Sequence, residues 1–302
     1  MIERVCVVGA GVIGSLFAGH LARVAEVSVL CRRDEHARDL AVRGLRVSGK
    51  HDFEVTVAAA VSPAELAEPD LVIVATKATG LEAAGSLLAG QWPDAAVMTV
   101  QNGLGAEEVV ARYGNWRMIS AVTFMSGTKH SDTHVEFILD TETWLGPYGA
   151  TPLELVQGLG ELIVRSGLKV EVLPDLRPAQ WSKLIFNATV NGVAALTGLP
   201  HDFHFAEGQL GDLVRSLVEE GKAVARAAGI ELHDDPWEMN VLATKRGSAH
   251  FPSMLEDVEA ARPTEVELIN GSLVRQAQEH GVDAPLQAAV YALVRGREAS
   301  YA

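Results

Sequence analysis

A glycine-rich hexapeptide, Gly9-Ala10-Gly11-Val12-Ile13-Gly14, follows directly on the apolar run through RVCVV between Glu3 and Val8, and leads into a stretch from Leu16 to Val24 with helical spacing. That position, after a strand and at the opening of a helix, gives each glycine a physical task. Gly9 permits a tight turn, Gly11 lets a pyrophosphate approach the backbone, and Gly14 allows helix and strand to pack closely. The helix N-terminus adds unpaired amides and partial positive charge, so Ala10, Val12 and Ile13 complete a backbone cradle for an anionic dinucleotide. A turn that binds nothing is the alternative; the coincidence of strand, motif and helix weighs against it.

Short β-branched or apolar runs recur at Val27 to Leu30, Leu71 to Ala75 and Ala95 to Val100, with an amphipathic stretch at Leu81 to Leu88 between the last two. Strand and helix in alternation imply a parallel sheet with helical crossovers, the Rossmann-type α/β arrangement. Ser62-Pro63-Ala64-Glu65 has the spacing of a capping box with proline at the first helical position. From Met118 to Leu145 the pattern becomes strand-like around SGTKHSD, read as an antiparallel addition at the sheet edge, and a last helix and strand end near Val172. Beyond Pro174 only helical periodicity remains, at Pro178 to Leu196, Glu207 to Ala228, Thr264 to His280 and Pro285 to Arg297. The expected organisation is a dinucleotide-binding domain over 1–174 and an all-α substrate and catalytic domain over 175–302.

Composition narrows the partners. A formal net charge of −14 opposes general attraction to nucleic-acid backbones or anionic membranes, so any anionic cofactor must be met by local cations and amides. No apolar run is long enough to span a bilayer. The only two cysteines, Cys6 and Cys31, lie in apolar runs and read as small buried residues of a reducing compartment. A strand beginning so near Met1 leaves no room for a signal segment, and a cytoplasmic location is expected. The ten histidines show no ligand spacing, so no metal site is expected.

The end of the second strand separates NAD from NADP. An NAD site places a carboxylate there for the ribose 2′-hydroxyl, whereas this chain has Cys31-Arg32-Arg33. A guanidinium pairs with a 2′-phosphate, so Arg32, with or without Arg33, points to NADP; the alternative is that both only begin a solvated helix. Two more loops follow strands at the carboxyl edge. Lys77 offers an ammonium to cofactor phosphate or substrate carboxylate, and Asn102 a carboxamide to the nicotinamide.

Lys183, Asn187 and Asn191 fall at i, i+4 and i+8 in WSKLIFNATVN and so share one helix face. Carbonyl reduction needs a proton donor at the developing alkoxide, a task for a lysine in a cleft, and carboxamides orient substrate oxygens. A polar outer face, or asparagines bonded to neighbouring helices, is the competing reading. Farther on, Ser253 sits at a helix start, where its hydroxyl and the free amides receive a carboxylate or simply cap the helix. Thr264 and Glu267 have capping-box spacing, which leaves Glu265 on another face, free for a different task; Asn270 reads as a packing residue.

Taken together, GAGVIG, the Lys77 loop, Gln101-Asn102-Gly103, Trp181 to Asn191 and Ser253 to Gly271 resemble the ketopantoate reductase family, in order and over nearly the whole chain. The resemblance implies reduction of 2-dehydropantoate to pantoate by NADPH, in a cleft between a Rossmann and a helical domain, and a homodimer through the helical half. It implies Lys183 as general acid, Asn187 and Asn191 holding substrate, and Ser253 receiving its carboxylate. Glu265 would contact substrate or cofactor, and Gly9, Gly11, Gly14, Arg32, Lys77 and Asn102 would bind NADPH. Two departures bear on the substrate: Gly192 follows Asn191 where well-characterised members have proline, and His201 falls near a position where members can carry another substrate-binding asparagine. A paralogue for another 2-oxo acid therefore stays open, as does a 3-hydroxy acid dehydrogenase, which pairs a similar nucleotide fold with a lysine-asparagine helix. A non-enzymatic NADPH sensor is the third alternative, though a sensor needs no proton donor.

Overall fold

The computed structural model describes residues 2–200, 208–245 and 252–301. His201, His204 and the Glu207 start expected for one helix lie outside the described residues. The chain divides into two compact units, one of Met1–Gln101 with Ala106–Leu176 and one of Asn102–Gly105 with Arg177–Ala302.

The first unit runs β1 (Arg4–Val8), α1 (Val12–Leu21), β2 (Glu26–Leu30), α2 (Asp34–Arg43), β3 (Leu45–Gly49), β4 (Phe53–Val55), β5 (Ala58–Ala60), β6 (Leu71–Val74) and α3 (Leu81–Leu88). It continues through β7 (Ala96–Thr99), α4 (Ala106–Ala111), β8 (Arg117–Thr123), β9 (Ser126–Ser131), β10 (His134–Leu139), β11 (Thr143–Pro147), α5 (Leu153–Ser166) and β12 (Val170–Val172). The main sheet has the order β12-β11-β8-β7-β6-β1-β2-β5. From β8 to β5 all pairings are parallel, and every residue of β6 and β7 is buried, the pattern of strands covered on both faces. The chain leaves β1 for β2 on one side and reaches β6 on the other. The glycine turn after β1 therefore lies at the switch point where open α/β sheets bind ligands. Cys6 and Cys31 are both free and buried, as their apolar settings imply.

Two local expectations are corrected. The antiparallel addition is realised only by β11, which pairs with β8, while β8 itself extends the parallel sheet and β12 takes the edge. The polar run SGTKHS cannot be buried on two faces. It becomes β9, which joins β10, β3 and β4 in a separate four-stranded sheet of order β4-β3-β10-β9. Ser62 makes no side-chain cap, and Pro63–Glu65 form a single 3-10 turn, because Pro69 follows too soon for a helix to propagate.

The second unit contains α6 (Arg177–Thr197), α7 (Gln209–Ala227), α8 (Pro236–Lys245), α9 (Ser253–Glu259), α10 (Asn270–Glu279) and α11 (Pro285–Glu298). Here α6 is the central rod: Trp181, Leu184, Ile185 and Ala188 are buried against Leu217, Val218, Met254, Leu273 and Val294. Gly192 is explained by packing, since a Cβ there would come within 2.4 Å of Val290 Cγ1 and 3.3 Å of Asn270 Nδ2. Asn270 serves helix packing, donating to Ala188 O at 2.7 Å and to Gln287 Oε1 at 3.2 Å. Helix α10 begins six residues later than Thr264, the start expected from the sequence. Thr264 Oγ1 accepts from Val266 N, and Glu267 is drawn to Arg275 and Tyr291 instead of closing a capping box. Among the described residues no helix is long and apolar enough to cross a membrane.

Candidate functional site

In the first unit, Gly9 N donates to Leu30 O at 3.0 Å, tying the glycine turn to the end of β2. Gly9 has φ +101°, and a Cβ on it would lie 2.9 Å from Thr76 N, so the turn is pressed against the loop after β6. A Cβ on Gly14 would lie 1.9 Å from Gly9 O. Gly11 is different: it is exposed at the N-cap of α1, and a Cβ there would meet nothing within 4 Å. Chain packing requires the first and third glycines but not the second. The open space over Gly11, beside first-turn amides with no side-chain cap, fits an approaching pyrophosphate.

This gives a separable expectation. Gly14→Ala should lower thermal stability markedly, whereas Gly11→Ala should unfold like the wild type and lose dinucleotide affinity by about tenfold or more in a binding titration. Equal stability losses in the two variants would contradict the assignment.

Around this turn, Arg32 is exposed just beyond β2 and makes no hydrogen bond or ion pair among the described residues, while Arg33 is bound to Asp132 at 2.7 Å. Lys77 is exposed at the end of the β6 loop, in front of a 3-10 turn at Ala78–Gly80. The sequence singled out Asn102 but gave no task to Gln101. Gln101 Nε2 donates to Val74 O at 2.8 Å and Thr76 O at 2.9 Å, fastening the two carboxyl-edge loops together. Its signal was available, a long amide directly after a buried strand.

In the second unit, Lys183, Asn187 and Asn191 are 9%, 6% and 5% exposed, which rules out a polar outer face. Asn187 Nδ2 donates to Asn102 Oδ1 at 3.4 Å, and Asn102 Nδ2 donates to Glu265 Oε2 at 3.0 Å. Burial pushes the Lys183 ammonium down from its ordinary value to about 8, against an upward pull from the Glu265 carboxylate. Lysine, carboxylate and two carboxamides thus form one connected polar group in an apolar helical unit. Asn102 is held there by its neighbours: Leu104 N donates to Leu268 O at 3.0 Å, and Gly103 passes the same carbonyl with φ +95°. Ser253 is the first residue of α9 after a Pro252 cap, and is exposed, so its hydroxyl is not spent as an N-cap.

Such an arrangement can protonate and orient an oxygen-rich substrate. Residues 5–150 match the family described as ketopantoate reductase PanE/ApbA, and residues 175–298 match its C-terminal part. The chain belongs to the ketopantoate reductase family. It is 30% identical over 295 residues to the 2-dehydropantoate 2-reductase of Mycobacterium tuberculosis, covering 95% of each chain. With the enzyme of the same name from Pyrococcus abyssi it shares 27% identity, covering 98% of each. The crystal structure of a PanE/ApbA family ketopantoate reductase from Ralstonia eutropha superposes with a TM-score of 0.90 at 26% identity, covering 99% of both chains. Membership in the ketopantoate reductase family accounts for the pairing of a Rossmann-type unit with a helical one.

Proposed function

We propose that this family member reduces a 2-oxo acid, 2-dehydropantoate, to the 2-hydroxy acid pantoate with NADPH as donor. The observation that carries the reading is the buried Lys183 ammonium, drawn down to about 8 and linked through Glu265 and Asn102 to Asn187. The full-length relatives named as 2-dehydropantoate 2-reductases support the choice of substrate. When bound, the nicotinamide supplies the hydride.

Each residue then has a defined part. The glycine turn and the first amides of α1 receive the pyrophosphate, and Arg32, having no protein partner among the described residues, takes the 2′-phosphate. Lys77 adds a cation at the carboxyl edge, and Asn102 meets the nicotinamide end. Ser253, exposed at the start of α9, receives the substrate carboxylate. Asn187 and Asn191 orient the substrate oxygens, and Glu265 fixes Asn102 while balancing the charge of Lys183. Lys183 holds the proton at Nζ and gives it to the carbonyl oxygen as negative charge develops there; the neutral amine then regains a proton from solvent. A cytoplasmic location and a homodimer through the helical unit belong to the same reading.

The donor is tested with Arg32→Ala. The wild type should use NADPH in preference to NADH, and the variant should raise KM for NADPH by about tenfold to a hundredfold while leaving NADH nearly unchanged. Unchanged NADPH kinetics would remove the argument for a 2′-phosphate site at Arg32.

A further inference from the structure

The hairpin of β9 and β10, which serves no part of the main sheet, lies directly on the glycine turn. A Cβ on Gly127 of β9 would sit 3.2 Å from Val12 Cγ1, inside the hexapeptide. Two residues on, Lys129 Nζ donates to Ala10 O, the carbonyl between the first two glycines. The same ammonium stands 3.3 Å from His36 Nε2 and 3.8 Å from Asp132 Oδ1. Asp132, in the hairpin turn, also binds Arg33 at 2.7 Å and lies 3.6 Å from His36 Nδ1. A lysine from the hairpin is thereby placed among the residues that follow β2, where a Rossmann-type fold puts the adenosine ribose.

The charge balance there is telling. A carboxylate near the ribose ordinarily selects a free 2′-hydroxyl and repels a 2′-phosphate. Asp132 instead pairs with the Arg33 guanidinium and the Lys129 ammonium and lies against the His36 ring, so its charge is consumed in holding two cations in place. The Lys129 side chain keeps 23% of its surface exposed, enough for a second anion to reach it. Burial lowers its pKa while Asp132 raises it, which leaves an ammonium that a further anion would stabilise.

We propose that Lys129 is a specificity-determining residue that the β9–β10 hairpin adds to the 2′-phosphate site, beside Arg32, with Ala10 O and Asp132 holding its ammonium in position. The ligand chemistry it reads is a ribose 2′-phosphomonoester. The proposal rests on the NADPH reading above and assigns a residue that the sequence motifs do not contain.

The test is titration of the full chain with adenosine 2′,5′-bisphosphate and, separately, with adenosine 5′-monophosphate. The wild type should prefer the bisphosphate. Lys129→Met should weaken the bisphosphate by about tenfold and change the monophosphate by less than about twofold, and Lys129→Arg should restore most of the loss. If the methionine variant does not fold, Lys129→Gln, which keeps a donor for Ala10 O, carries the same expectation. Equal losses for both nucleotides would make Lys129 a prop for the glycine turn and overturn the proposal, as would no loss for either. A wild type that binds both nucleotides alike would instead overturn the NADPH reading beneath it.

Discussion

Lys183→Met is expected to yield a folded, more stable protein whose reduction of substrate is slower by about a hundredfold to ten-thousandfold. The two effects share one cause. Burial draws the lysine from 10.5 to about 8, so the folded state resists the charge that the unfolded chain carries freely. Between those two values the unfolded chain holds more protons, and wild-type stability therefore rises with pH across the window. Below about 8 the full cost is present, about 3 kcal/mol for a displacement of that size. Methionine fills similar volume without a charge, so chemical denaturation at neutral pH should show the variant more stable and lacking the rise above pH 8. Activity runs the opposite way: wild-type kcat should fall as pH rises through about 8 and the donor proton is lost, and the variant should lose that limb. A variant with wild-type kcat and the same alkaline limb would transfer the acid role to another group.

The second large effect is expected at Gly103, a residue with no chemistry of its own. Its φ of +95° and the 1.9 Å from a built Cβ to Leu268 O leave no room for alanine. Gly103→Ala must therefore break the approach that lets Leu104 N donate to Leu268 O, and with it the placement of Asn102 against Glu265. The strain should cost about 1–3 kcal/mol in stability, and a shift of about 1 Å in Asn102 should cost about a hundredfold in kcat/KM. Asn102→Ala should match that loss in kcat/KM with little loss of stability. If Gly103→Ala kept full activity, the loop would not be positioning Asn102.

Much of this was legible in the chain because two strong local signals coincide with the sites proposed above. The β1-turn-α1 unit is written by three glycines in a fixed relation to a buried strand, and two of them, Gly9 and Gly14, are demanded by packing. The stripe of Lys183, Asn187 and Asn191 follows from helical geometry alone, and its burial removes one of the competing readings, the polar outer face. What sequence patterns could not supply were contacts at long separation. Asn102 bonds to Glu265 across 163 residues, and Lys129 reaches Ala10 across 119. Nor could spacing tell a capping box from its mimic: Thr264 and Glu267 fit the pattern, but Glu298 claims Thr264 from another helix. The polar strand β9 was readable as a strand but not as a member of a second sheet, since its partners β3 and β10 are set by tertiary pairing.

The most direct test of the whole account is oxidation of NADPH, followed by the loss of its near-ultraviolet absorbance, with 2-dehydropantoate offered beside other branched 2-oxo acids. The wild type should turn over 2-dehydropantoate rapidly, and Lys183→Ala should abolish that turnover. Tight binding of NADPH with no turnover of any 2-oxo acid would contradict it and leave a protein that senses the cofactor without using it.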